Sequence, residues 1–273
     1  MIAALFEYQF LQNAVWASLL ASIVCGIMGV IIVEKKLVMM SGGIAHTSYG
    51  GVGLGYLLGF EPILGAFVIS LLAALGIAYI KRHGGTHSDV VIGLFWSMGM
   101  ALGILFIGLA PGYPPDLTSY LFGNILSVTQ SDLVWMLLLS VIVMVIVISF
   151  FSYWKSYLFD DEFATIVGIK TSFLEYLLFI LIAMAVVVLI RVVGIVLVLA
   201  LFTAPTAVAS LVSKQLSERM VWATFFGIFF SLMGLMISYQ LNISSGAAIV
   251  LVASLVYLLA YVGVVLSKMK CRE

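Results

Sequence analysis

Residues 14–33 read AVWASLLASIVCGIMGVIIV, a run without a single charged side chain. About 20 apolar residues is the length of helix that crosses the hydrocarbon core of a bilayer. Similar runs recur at Pro62–Ile80, Val90–Leu109, Leu133–Phe151, Phe173–Ile190, Val193–Val212, Val221–Tyr239 and Ala247–Leu266. A ninth, Ile44–Leu58, is shorter and rich in glycine. The 273 residues are 64% hydrophobic and 9% charged, with a mean hydropathy of +1.27, whereas soluble domains carry about 25% charged residues. The sequence therefore predicts an all-α membrane protein, a polytopic bundle of eight or nine transmembrane helices forming one transmembrane domain over residues 1–273.

Charge sets the orientation and removes one class of partner. The 12 Lys and Arg balance the 12 Asp and Glu, so there is no basic field to hold a nucleic-acid backbone. Nucleic acid is not an expected partner; the lipid bilayer is. If nine spans cross, every Lys and Arg except Arg191 falls on one face. Cations concentrate on the cytoplasmic side, which predicts a cytoplasmic C-terminus in the cell inner (cytoplasmic) membrane and an external N-terminus. Eight spans would place the N-terminus inside. Arg191, near an outer helix end, is expected to snorkel to the interface. No Lys or Arg precedes Lys35, so the first run lacks the basic start of a cleaved signal peptide and is expected to persist. Cys25 in an apolar run and Cys271 in the tail form no disulfide framework.

Several chemistries are missing. There is no Gly-x4-Gly-Lys-Ser/Thr phosphate loop, and the cluster Gly50-Gly51-Val52-Gly53-Leu54-Gly55 has no lysine after it. The chain does not hydrolyse nucleotides by itself and is not expected to be an enzyme. Gly51, Gly55 and Gly59 recur at every fourth position, which predicts a bare helix face for close packing. There is no HExxH motif or paired-cysteine site, so a permanent tetrahedral metal site is not expected.

An ionisable group inside hydrocarbon is costly unless it serves a path or a partner. His46 stands out in Ser41-Gly-Gly-Ile-Ala-His-Thr-Ser-Tyr49. A neutral imidazole suits zinc, manganese or iron, and Ser41, Thr47 and Tyr49 bring oxygens near a passing cation. A histidine hydrogen-bonded between helices is the alternative reading. Met39, Met40, Met98, Met100 and Met144 read as packing. His83 and His87 read as residues of a solvated loop. Asp160-Asp161-Glu162 before Phe163 to Gly168 predicts a short helix with acids in its first turn. Pro205 predicts a break, after which Thr206–Arg219 would form a second short helix bending away from the bundle.

Together, Ser41 to Gly51, Phe159-Asp-Asp-Glu-Phe-Ala164 with Gly168, Val193-Gly-Ile-Val-Leu-Val-Leu-Ala-Leu-Phe-Thr-Ala-Pro-Thr206, and Ser244-Ser-Gly246 resemble the membrane subunit of ATP-binding-cassette importers for manganese, zinc or iron. The resemblance runs from about Phe6 to Leu266. It implies an architecture similar to the cobalamin and siderophore importer permeases. It also implies a permease homodimer, two copies of an ATP-binding subunit and an extracytoplasmic metal-binding protein. On this reading His46 meets the metal, and Ser41, Gly42, Thr47 and Tyr49 line the translocation path. No cofactor is held permanently, because the zinc, manganese or iron ion is cargo. The first expected surface for the ATPase carries Thr206, Lys214, Glu218 and Arg219; the second carries Asp161 and Glu162. The family commonly places an aspartate four residues before the histidine, and here that position is Gly42. Loss of a hard oxygen ligand tilts the expectation slightly toward zinc. The rival readings are a permease for a metal chelate or siderophore, an ion-gradient-driven secondary transporter, and an intramembrane enzyme.

Overall fold

A computed structural model describes residues 7–83, 88–111 and 117–270. Every regular element among them is helical. In chain order these are α1 (Gln9–Glu34), α2 (Val38–Leu58), α3 (Pro62–His83), α4 (Ser88–Leu109), α5 (Leu117–Phe122), α6 (Gln130–Ser149), α7 (Phe151–Phe159), α8 (Asp161–Ile166), α9 (Thr171–Val193), α10 (Ile195–Val212), α11 (Leu216–Leu241) and α12 (Ser245–Lys270). With no water in hydrocarbon, each backbone must satisfy its own N–H and C=O groups, and the helix does so within one segment. Hydroxyls follow the same rule by donating to the preceding turn, as from Ser18 to the Ala14 carbonyl and from Ser140 to that of Met136.

Eight of the long helices are apolar enough to cross a membrane. The ninth, α2, has 21 residues, roughly 32 Å at 1.5 Å per residue, but its glycines and hydroxyls dilute its apolarity. It starts at Val38, six residues ahead of the glycine-rich run read from the sequence. Contacts along the chain fix the directions. α2 and α3 run antiparallel, since Gly43 faces Ile77 while Gly55 faces Pro62. α2 and α4 run parallel, since Gly42 faces Trp96 and Gly53 faces Gly103.

The ion pairs fall into two belts, one at each end of the bundle. At one end Glu175 at the foot of α9 accepts Lys81 Nζ at 2.6 Å and Arg82 Nη1 at 3.1 Å. Lys35 reaches Asp161 at 3.6 Å and lies 3.8 Å above the Tyr157 ring, and Glu34 pairs with Arg219. Burial pulls the Lys35 ammonium below the usual lysine range, while the Asp161 carboxylate pulls it back up. At the other end Arg191 Nε meets Asp132 Oδ1 at 2.8 Å, with Glu61 at 3.9 Å. Arg191, 43% exposed, is thus paired at this end with Asp132, which also completes the capping box of α6 with Thr129.

Two expectations change. No separate helix spans Thr206–Arg219. α10 continues through Pro205 to Val212, and α11 starts at Leu216 after a short connection. Inside a packed bundle, neighbours and local adjustment offset the bond that proline removes. Here Gly29 of α1 comes against the Phe202 carbonyl and Thr206, so α1 packs closely on the proline turn. Gly59 does not belong to the packing face: it caps α2 in the left-handed region at φ 74° with nothing near it. The short helix near residue 160 forms as α8, capped by the Asp160 carboxylate accepting from the Phe163 N–H at 3.0 Å.

A candidate cation contact on a sheathed helix

α2 is buried almost throughout, from Met40 to Gly53. Its small residues explain how. A Cβ placed on Gly51 would strike the Gly65 carbonyl of α3, and one on Gly50 would sit 3.1 Å from the Gly99 carbonyl of α4. Neighbouring backbones thus pack directly against α2, as small residues allow between membrane helices.

Gly42, His46 and Tyr49 follow one another at spacings of four and three, which places them on one helical face. That face is turned to α4. The His46 ring lies under Trp96 with centroids 4.0 Å apart and planes inclined by 16°. His46 is 9% exposed, and its Nδ1 has no hydrogen-bond partner among the described residues. The Tyr49 hydroxyl is likewise without one, while the Tyr49 ring meets Tyr120 edge-on at 6.0 Å. Both are buried polar atoms on this face.

The other expected path residues are spent elsewhere. Ser41 donates to the Val38 carbonyl at 2.8 Å. Thr47 donates to the Gly43 carbonyl at 2.7 Å and lies 3.1 Å from the Phe95 carbonyl, so its hydroxyl ties α2 to α4. Gly42 contributes space, not a ligand. A cavity of about 200 Å³ at the Arg191 end, lined in part by Ser48, Tyr56, Glu61 and Tyr120, reaches α2 from its other side. It does not open onto the imidazole, because residues two apart on a helix face opposite ways.

Other candidates from the sequence do not converge on His46. Met39 and Met98 point outward. His83 stacks on Tyr79 at 4.4 Å, with its Nδ1 3.0 Å from the Tyr79 carbonyl. His87, Cys271 and Arg272, and most of the proline-rich stretch 111–115, lie outside the described residues. Among the described residues no three His, Cys, Asp or Glu side chains gather into a metal-sized group.

At the Lys35 end the proposed docking residues separate. Thr206 is fully enclosed, which overturns its assignment to an exposed surface. Glu218 accepts from Ser213 Oγ at 2.7 Å, and Arg219 donates to the Ser213 and Lys214 carbonyls, so both brace the α10–α11 connection; Lys214 is exposed. Asp161 and Glu162 stand exposed on α8 beside Phe159, Phe163, Ile166 and Val167, with Phe159 90% exposed. The sequence reading missed Trp96 and Glu175. A lone tryptophan in an apolar span and a glutamate near a helix start carry no local signal of what they meet.

Comparison with known proteins places this geometry. An uncharacterized membrane protein, slr2045, of Synechocystis sp. is 43% identical over 263 residues, covering 95% of this chain and 92% of the relative. The manganese transport system membrane protein MntC of Listeria monocytogenes is 35% identical over 260 residues, covering 95% and 92%. The structure of PsaBC from Streptococcus pneumoniae, solved in complex with Fab, superposes with a TM-score of 0.86 at 34% identity, covering 95% of this chain and 94% of the solved one. The ABC 3 transport family model matches residues 7–263. With that match spanning nearly all of the chain, and with an all-helical bundle that superposes on a solved relative, the chain belongs to the ABC 3 transport family.

Proposed function

We propose that this chain is the membrane permease of an importer for a divalent transition-metal ion, with His46 as a contact for the cargo. The carrying observation is the imidazole itself, enclosed in a helix sheathed by its neighbours, with a nitrogen that no protein group uses. Inside hydrocarbon, an ionisable group retained without a partner marks a path, and a neutral imidazole nitrogen is a ligand for such ions. The manganese named for the Listeria relative supports a metal cargo. The donor set on this face is the imidazole and one phenol, without the carboxylate of the family pattern, and it favours zinc over manganese.

On this reading two copies pair, and two ATP-binding subunits sit on the Lys35 end, which is the cytoplasmic side by its cations. Lys214, on the α10–α11 connection, stands on one docking surface, and α8 supplies the other, with exposed apolar side chains beside Asp161 and Glu162. A binding protein delivers cargo at the Arg191 end. Energy enters through the partner, and this chain breaks no bond.

The test is uptake by the complete complex in vesicles. His46→Ala is expected to lower ATP-dependent zinc and manganese uptake by at least about tenfold, with assembly unchanged. Full uptake by this variant would remove His46 from the path. Adding both ions together ranks the cargo.

A further inference from the structure

Trp96 of α4 packs over both Gly42 and His46 on the same face of α2. A Cβ placed on Gly42 would lie 2.9 Å from Cζ3 of Trp96 and 3.7 Å from Cδ1 of Leu199. The same indole lies parallel over the His46 imidazole at 4.0 Å. One ring therefore fills the volume that a side chain at position 42 would occupy and also lies over one face of the imidazole one turn further along. The indole itself is half-buried, while the backbones of α4 and α2 are held close by Gly50 facing Gly99 and by Gly53 facing Gly103. Beyond Trp96 the opposite side of α4 carries Leu94, Met98 and Leu105, all exposed. One helix thus separates His46 from the outer surface of the chain on this side, and Trp96 is its contribution at the level of the imidazole.

We propose that Trp96 is a specificity-determining cover beside the His46 contact: its indole takes the place of a second ligand at position 42 and holds one face of the imidazole, leaving the in-plane nitrogen to meet the cargo. This rests on the reading of His46 as a cargo contact. Offset or parallel aromatic stacking adds a modest attraction beyond burial, so the indole is held in place yet remains displaceable. With Gly42 bare, the site presents nitrogen and phenol donors. A carboxylate at 42 would stand one turn from the imidazole and add the hard oxygen that manganese prefers, but it fits only if the indole goes.

The test is a cycle of four full-length chains, wild type, Gly42→Asp, Trp96→Ala and the double variant, each purified with its ATP-binding subunit. In detergent, Gly42→Asp is expected to lower the melting temperature, and Trp96→Ala is expected to restore it in the double variant, a non-additive result expected of groups in contact. In vesicles supplied with equal manganese and zinc, the double variant is expected to raise the manganese-to-zinc uptake ratio by about fivefold or more over Trp96→Ala alone. A merely structural tryptophan would not move that ratio. Trp96→Phe, which keeps a ring but frees space, is expected to relieve Gly42→Asp partly. The proposal is overturned if Gly42→Asp melts and transports as wild type does, or if the double variant is no more stable than Gly42→Asp and leaves the ratio unchanged. His46→Ala separates the two failures. If it abolishes uptake while the cycle is additive, the cover is wrong and the cargo contact stands. If it transports fully, the cargo reading fails, and the cover falls with it.

Discussion

α2 and α12 cross the same bundle and are built in opposite ways. α12 turns Leu251, Leu255, Leu258 and Leu259 outward, all exposed. α2 hides nearly everything, and what it hides is glycine, hydroxyls and a histidine. The contrast has a simple cause. Lipid tails are as apolar as leucine, so an outward leucine gains nothing by turning in, whereas small residues gain close backbone packing. Hydropathy therefore reports which helix faces lipid. It is weakest where neighbouring backbones come closest, along the helix that carries His46.

The sharpest way to break the contrast is Gly51→Leu. A side chain there meets the Gly65 carbonyl and the Ala66 backbone of α3, which no rotamer change can relieve. The expected outcome is loss of the folded, monodisperse protein by size-exclusion chromatography. His46→Ala comes next, with transport lost and the elution profile retained, as set out above. Glu175→Gln strips Lys81 and Arg82 of their shared carboxylate. Because both cations are partly exposed, the expected cost is about 1–2 kcal/mol, less than for a fully buried pair, read as a lower melting temperature. At the far end, Leu259→Ala on α12 is expected to change stability by less than about 0.5 kcal/mol. A large loss there would mean that α12 packs on a partner and not on lipid.

Much of the fold was legible because its signals are local. Apolar runs marked eight spans, the polar sequence around Asp160 announced α8, and His46 stood out as an ionisable group within a span. What escaped depends on contacts between distant segments. Pro205 reads as a breaker in isolation, yet the helix continues through it within the packed bundle, with Gly29 of α1 close by. Arg191 reads as a snorkelling side chain, and its pairing with Asp132 joins two distant helices. Gly42 reads as a departure from the family pattern, and its complement, Trp96, lies on another helix. Thr206 looked available because the connection after it was drawn too early.

Glu34 and Lys35 are neighbours on the chain, yet one holds Arg219 at the start of α11 and the other holds Asp161 at the start of α8. Lys36 then turns through a left-handed conformation at φ 56° before α2 begins. Two remote connections are thus moored to one short joint, and beyond that joint the helix rises roughly 12 Å from Val38 to His46. A displacement of either connection would therefore reach one joint, at the foot of the helix that carries His46.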